Sequence, residues 1–422
     1  MKIFYNSCCG MDIHRSIIKA NLRRTGVEGK PDLNEVRKFG TMTSDLLGLA
    51  DWLKDAGCTH VAMESTGVFW KPVFNILGND FEVILVNARH YRSIPGHKTD
   101  ARDCRWIGEL LQHGLLKASF IPPQPIRELR DLTRHRRRLI QEKSSVVNRI
   151  HKILQDAHVK LSSVITDIMG KSGQEMLEKI IAGEMDAAKI AECAHGKMKA
   201  KKDDLVRALE SKVTAHHRFM LSKHLKQIHF LEEMVEEFNQ QIDAHVKAQG
   251  EDFLALIPLL STIPGVDTCT AEEILAEIGA DMNQFPNQDH LSSWAGVCPG
   301  NNESAGKRKS AKTTKGSHWL RATLGEIAWA ASHTKNTYLS AHYKRIARRR
   351  GIKKAIVALG HTMLVIIYHI IKNRLPYNEL GKEYFNKMDK EKIIKSMVKR
   401  IEKIGYKVEL SKVEQPEQQK VA

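Results

Sequence analysis

Asp12 stands inside an otherwise apolar run, Cys8-Cys9-Gly10-Met11-Asp12-Ile13-His14, and that placement constrains the first third of the chain more than any other feature. The run predicts a strand, with a second strand from Ser16 to Leu22. An ionised acid within a strand must meet a donor, a cation or the open end of a sheet, because burying it uncompensated is prohibitive. A polar link containing Gly and Pro follows, then an amphipathic helix of about Ser44 to Ala56 with Leu46, Leu49 and Leu53 on one side. His60 to Glu64 forms the next strand, turning through Ser65-Thr66-Gly67 into a helix that ends near Gly78. Phe81 to Asn87 is a further strand, and a helix opens around Gly96-His97-Lys98-Thr99-Asp100 and breaks at His113-Gly114. The order β-β-α-β-α-β-α predicts a mixed sheet with helices packed on it.

Three more acids belong with Asp12. Glu64 ends a strand, where open α/β sheets place their ligands. At about 100° per residue, Asp100 and Asp103 share a helix side with Cys104, Ile107 and Leu111. Singly, each acid has an ordinary explanation as a hydrogen-bonded buried acid, an exposed strand end or a helix cap. Four carboxylates gathered without a cation would repel, so together they predict a divalent metal site, Mg²⁺ or Mn²⁺ by the preference of hard ions for oxygen. Two such ions activate a nucleophile and stabilise a leaving oxygen in phosphodiester transfer.

Composition supplies the partner. The 422 residues carry a formal charge of +17, and a pI near 9.4, which favours a polyanion, nucleic acid before an anionic membrane. The length implies two or three domains. No secretory signal is evident, and seven cysteines without a Cys-x-x-Cys pair argue against a disulfide framework or a zinc knuckle, so a cytoplasmic, nucleoid-associated setting is expected. The apolar run Ala355 to Ile371 contains His361 and His369 between lysines, and is expected as a buried helix rather than a membrane span.

Beyond the Pro-marked boundary at Lys117 to Pro125, Ile126 to His158 reads as one long helix. Leu129, Leu132, Leu139, Val146, Ile150 and Leu154 form its stripe, and the arginines on its other faces suit either a solvated surface or phosphate contact. A second long helix, Asp204 to Ala248, repeats apolar residues from Leu221 to Val246 at coiled-coil spacing, to pair with the first helix, with another subunit, or with both. Thr262-Ile263-Pro264-Gly265-Val266-Asp267 resembles the turn of a helix-hairpin-helix, whose amides can hold a DNA phosphate, although Asp267 stands where a second glycine is usual. From Asn301 to Arg350 twelve Lys and Arg face two acids, Glu303 and Glu326, around a loop rich in small hydroxyl residues. Most loop serines are turn formers, but a Ser beside a DNA strand can form a phosphoester.

These motifs together resemble the DEDD-type insertion-sequence transposases of the bridge-RNA-guided recombinase family, related to the Piv-type DNA invertases. Gly10-Met11-Asp12, Met63-Glu64-Ser65-Thr66-Gly67 and Lys98-Thr99-Asp100-Ala101-Arg102-Asp103 match the amino-terminal half of such proteins. Thr262 to Val266, Trp294 to Lys307 and Thr314 to Ser317 match the carboxy-terminal half. The resemblance implies an RNase H-like, RuvC-type domain with Asp12, Glu64, Asp100 and Asp103 as metal ligands. It also implies a nucleophilic Ser304, preferred to Ser310 and Ser317 because it lies in the Glu-Ser-Ala-Gly-Lys match. A structured guide RNA and a dimer-to-tetramer assembled through the arms are implied as partners beside DNA. The expected fold is thus α/β plus α: a catalytic domain over 1–120, helical arms over 121–250, a transposase domain with the serine loop over 251–380, and a charged tail over 381–422. Two rivals stand against a cut-and-rejoin transposase: a RuvC-like nuclease or site-specific invertase, and a non-catalytic nucleic-acid-binding protein.

Overall fold

The computed structural model describes residues 2–26, 32–65, 67–87, 103–300, 302–304, 307–310, 312–385 and 390–410. The chain divides into two compact units, Met1–Ile121 and Pro122–Ala422.

The first unit is built on a five-stranded sheet. β1 (Ser7–Ile13), β2 (Ile18–Arg24) and β3 (Leu33–Phe39) form an antiparallel meander, and β4 (His60–Glu64) and β5 (Glu82–Val86) follow in parallel with β1, giving the order β3-β2-β1-β4-β5. Only β2 runs against the rest. The expected link between the second strand and the first helix is in fact β3. Its Asn34, Glu35, Arg37 and Lys38 sit on an edge strand with no residue fully buried, so the hydrophobic alternation that marks a strand is faint.

Alternation in β1 divides the sheet's two faces. Cys9, Met11 and Ile13 pack with Val61, Met63 and Leu85 against α1 (Thr43–Asp55) and α2 (Trp70–Leu77). Cys8, Ala62, Ile84 and Val86 face the other way, onto Ile107, Leu110 and Leu111 of α3 (Asp103–Gln112). The expected helical opening ahead of Asp103 lies outside the described residues.

In the second unit, α4 (Gln124–Asp156) lies antiparallel to a longer helix: His217 is 3.1 Å from Asp156, Lys143 is 2.8 Å from Glu232, and His245 reaches the Pro125 carbonyl at 2.8 Å. Between the two runs α5 (Lys171–Ala182), α6 (Lys202–Leu209) and shorter turns close a core with the far end of the pair, around Met176, Leu177, Leu205, Ile150 and Ile228. The second arm was expected to start at Asp204. It breaks at Glu210, and the long helix, α7 (Ala215–Ala248), starts afresh where the Thr214 hydroxyl accepts from the His217 amide and the His217 ring accepts from the Thr214 amide.

The carboxy-terminal half of this unit packs α8 (Leu256–Ser261), α9 (Thr268–Ile278), α10 (His318–His333), α11 (Tyr338–Arg350) and α12 (Ile352–Asn373). By length and composition α12 is apolar enough to cross a membrane. In the fold it is the central helix, with Leu359, Met363, Leu364 and Ile367 fully buried. In the tail α13 (Lys390–Glu402) is helical, Tyr406–Leu410 carries no strand ladder, and the residues beyond Leu410 lie outside the described residues.

Candidate functional site

Two glycines position the sheet-end acids. A Cβ on Gly10 would fall 2.1 Å from the Gly108 amide nitrogen and 2.5 Å from the Cys104 carbonyl oxygen, so the backbone of α3 rests directly on β1. Gly108 is constrained less severely, since its Cβ would stand 2.8 Å from the side-chain Oδ1 of Asn21. This contact lays the first turn of α3, which begins at Asp103, over the carboxyl end of β1.

Asp12 emerges there, two residues past Gly10 and on the same face. It is 8% exposed; its Oδ2 lies 3.1 Å from His14 Nε2, and it stands opposite Lys19 in the β1–β2 ladder. The β1–β4 register pairs Gly10 with Ala62 and Met11 with Met63, which carries Glu64 to the position beside Asp12 on the adjacent strand. Both acids therefore point to the α3 side. The Cys104 thiol, next to Asp103, is pushed up first by burial and then by the Asp12 carboxylate, while Lys19 and Arg105 oppose the shift. Asp12, Glu64 and Asp103 thus share one face and one end of the sheet. Asp100 lies outside the described residues. Among the described residues, no three His, Cys, Asp or Glu side chains are gathered closely enough to hold a metal ion.

Ser304 ends β6 (Asn302–Ser304), which pairs with β7 (Lys307–Ser310) so that Ser304 opposes Lys307 at the hairpin tip. The hairpin base is continued by the Pro299–Thr313 bridge and by the Gly300 amide donating to the Lys312 carbonyl at 2.9 Å. It is anchored where Gly296, at φ +71°, crosses Gly316; a Cβ on the former would lie 2.5 Å from the latter's nitrogen. Ser317 has a structural role: its hydroxyl accepts from the Leu320 amide to cap α10 and donates to Glu277 Oε2 at 3.0 Å. Ser310 closes β7.

Four arginines of α4 serve neither of the uses the sequence left open, a solvated surface or phosphate contact. Arg136 Nη1 donates to Glu272 Oε2 at 2.7 Å, with both residues buried. Arg137 binds Glu273 at 2.5 Å and Glu326 at 2.6 Å. Arg134 grips Glu277 with two bonds of 2.7 and 3.0 Å, and Arg130 caps the carbonyls of Ala276 and Glu277 at the end of α9. Burial pushes the Glu272 carboxyl up, with the hydrogen bond from Arg136 acting against it. These arginines weld the arm to the helical core. The Thr262–Val266 turn is likewise structural: a Cβ on Gly265, at φ +89°, would press within 2.7 Å of the Ala331 nitrogen in α10. Asp267 caps α9, its carboxylate accepting from the Thr270 amide at 2.8 Å, which explains an acid where a phosphate-binding turn has glycine.

A feature without a sequence signal is a basic hollow at the hairpin base. Its lining comes from five separate stretches of chain, and its volume is about 1070 Å³.

Acids at the ends of adjacent parallel strands in one unit and a basic, helical second unit are features found together in nucleic-acid-processing enzymes. The family follows from two matches: residues 9–159 fit the DEDD model of the IS110 group, described as "Transposase", and residues 257–344 fit "Transposase IS116/IS110/IS902 family". Together the two cover more than half of the chain, which carries the domains of an IS110-family transposase. No curated protein sequence matches it.

Proposed function

We propose that the protein is an insertion-sequence transposase that cuts and rejoins DNA, with Asp12, Glu64, Asp100 and Asp103 as the ligands of Mg²⁺ (or Mn²⁺) and Ser304 as nucleophile. One observation carries the metal half: Asp12 and Glu64 fall side by side at the carboxyl ends of adjacent parallel strands, under the turn that begins with Asp103. The sheet order β3-β2-β1-β4-β5 with β2 alone reversed supports an RNase H-like, RuvC-type reading of this unit. The donors are carboxylate oxygens, which suit a hard divalent ion. A bound ion would polarise the scissile phosphate and offset the charge of the transition state.

The remaining steps belong to the chain. The Ser304 hydroxyl attacks phosphorus, loses its proton, and forms a P–O bond as the DNA oxygen departs and takes up a proton. The phosphoserine ester keeps the bond energy, so attack by another strand's hydroxyl restores a phosphodiester and releases the serine without an external energy source. Support for Ser304 is its place at the tip of a hairpin in the most basic segment. A structured guide RNA rests on the family resemblance and on the charge of +17. A homo-oligomer is supported by Phe219 and Phe230, both 59% exposed and eleven residues apart on one side of α7.

The test is a denaturing gel of purified protein, Mg²⁺, element-end DNA and transcribed flanking RNA, with Ser304→Ala alongside. A protein–DNA adduct lost in the variant is expected. Cleaved DNA without an adduct in either protein would make it a metal-dependent nuclease; binding without cleavage would favour the non-catalytic alternative.

A further inference from the structure

The hollow beside the hairpin base is unlike the rest of the unit. It lies between α10, α11 and α12 and the strands that carry β6 and β7, and a second hollow of about 490 Å³ shares Val297, Arg321 and Val357 with it. Lys312, Lys315, Arg321, Lys353 and Lys354 line the pair; among the described residues no carboxylate lines it, and the acid nearest in effect is Asp289, which acts on His361. Where α4 meets α9, Arg134, Arg136 and Arg137 are matched by glutamates, whereas Lys315, Arg321, Lys353 and Lys354 concentrate positive charge around this pair of hollows, a lining that suits an outside anion. Between the cations the floor is apolar, formed by Val297, Ile356, Val357 and Ala358. His342 and His361 also line it, and burial holds both imidazoles down toward the neutral form, leaving them to exchange hydrogen bonds with polar edges.

We infer that this double hollow seats unpaired nucleotides of the DNA strand beside the bond that Ser304 attacks. Free phosphate would use the cations but not the floor, whereas a nucleotide presents a charged backbone and an apolar base face together. A space of this size admits a few unstacked nucleotides and no duplex. Its position selects DNA: Pro299 lines it and stands five residues before Ser304 on the same ladder, at most roughly 17 Å in extended chain. That span covers at most about five nucleotides, the number at the 3.4 Å spacing of a stacked strand, and fewer of an unstacked one. The inference rests on the strand-transfer reading for its choice of strand.

Two measurements on the full-length protein decide it. In the first, Val357, which is 38% exposed, is replaced by the photo-crosslinking amino acid benzoylphenylalanine in the presence of element-end DNA and transcribed RNA. Crosslinks within about five nucleotides of the cleaved bond are expected; crosslinks to RNA alone, or to distant duplex, would overturn the inference. In the second, binding of a fluorescent single-stranded DNA oligonucleotide is followed against salt for the parent and for the Lys353→Gln/Lys354→Gln pair. Loss of two phosphate contacts should flatten the log–log salt slope by about 1.4, at roughly 0.7 per phosphate for single strands. An unchanged slope and affinity, with circular dichroism unaltered, would remove the hollow from the binding path. Both measurements are repeated in Ser304→Ala. If the parent forms no adduct while crosslinks and slope behave as expected, the serine mechanism fails and the hollow stands as a DNA site.

Discussion

The two units treat carboxylates in opposite ways. On α9, Glu272, Glu273 and Glu277 follow one another along one helix, and a neighbouring helix brings each its own guanidinium. At the sheet end, Asp12, Glu64 and Asp103 come from two strands and a helix, and the ion pair of Asp12 is with a largely exposed His14. The first arrangement is closed: its charge is balanced within the fold, and it holds the arm in place. Among the described residues, the second gives Asp12 no guanidinium of its own at the point where parallel strands end. Acidity alone does not separate Asp12 from the α9 glutamates; the origin of the counter-charge does.

The comparison breaks most visibly through substitution. Asp12→Asn should lower adduct formation by about 10³-fold, the equivalent of roughly 4 kcal/mol of transition-state stabilisation, while leaving the unfolding curve of the protein nearly unchanged. Glu272→Gln should do the reverse in kind, loosening the core. A gel for the first and urea unfolding for both would reveal a common behaviour if the distinction were false.

Arg136→Met measures the closed arrangement directly. Removing one member of a buried pair strands the other charge and should cost about 3–5 kcal/mol. Arg136→Met combined with Glu272→Met removes both charges and should recover most of that loss, since apolar groups of similar volume replace such pairs at little net cost. Urea unfolding of the four proteins of this cycle is the check, and an additive double variant would mean that the two residues do not act as a pair.

Metal sharpens the open arrangement. Mg²⁺ at 100 times its dissociation constant should stabilise the protein by about 2.7 kcal/mol if it binds only the folded state, and Asp12→Asn should abolish that gain. A shift in melting temperature that survives the substitution would place the ion elsewhere.

Much of the sheet was legible because its strands are short apolar runs between turn residues: His60–Glu64 is the strand its sequence predicts, and the acids stood out by interrupting such runs. β3 was not legible because an edge strand needs little apolar alternation. The break before α7 escaped notice because Leu205, Leu209 and Val213 continue an apolar rhythm across it, and only the Thr214–His217 cap reveals the restart. The arm's arginines were open to misreading for a different reason. Their partners lie more than 130 residues further along the chain, and no local pattern distinguishes an arginine that waits for phosphate from one already held by glutamate. The basic hollow shares that non-local character.

The smallest expected effect concerns Asp267. In a phosphate-binding hairpin an acid at this position should repel DNA, so Asp267→Gly would tighten binding by the relief of a like charge. The structure gives the residue another task, since its carboxylate accepts the Thr270 amide and starts α9, the helix that carries Glu272, Glu273 and Glu277. Asp267→Ala should therefore cost about 1 kcal/mol through loss of the cap, and Asp267→Gly only a few tenths. Neither should change DNA affinity at fixed salt, because the Pro-Gly turn beside it is pressed against α10. Urea unfolding and fluorescence anisotropy on the same two variants separate the possibilities: a stability change without an affinity change assigns the turn to the architecture of the arm junction, and the opposite result returns it to the DNA surface.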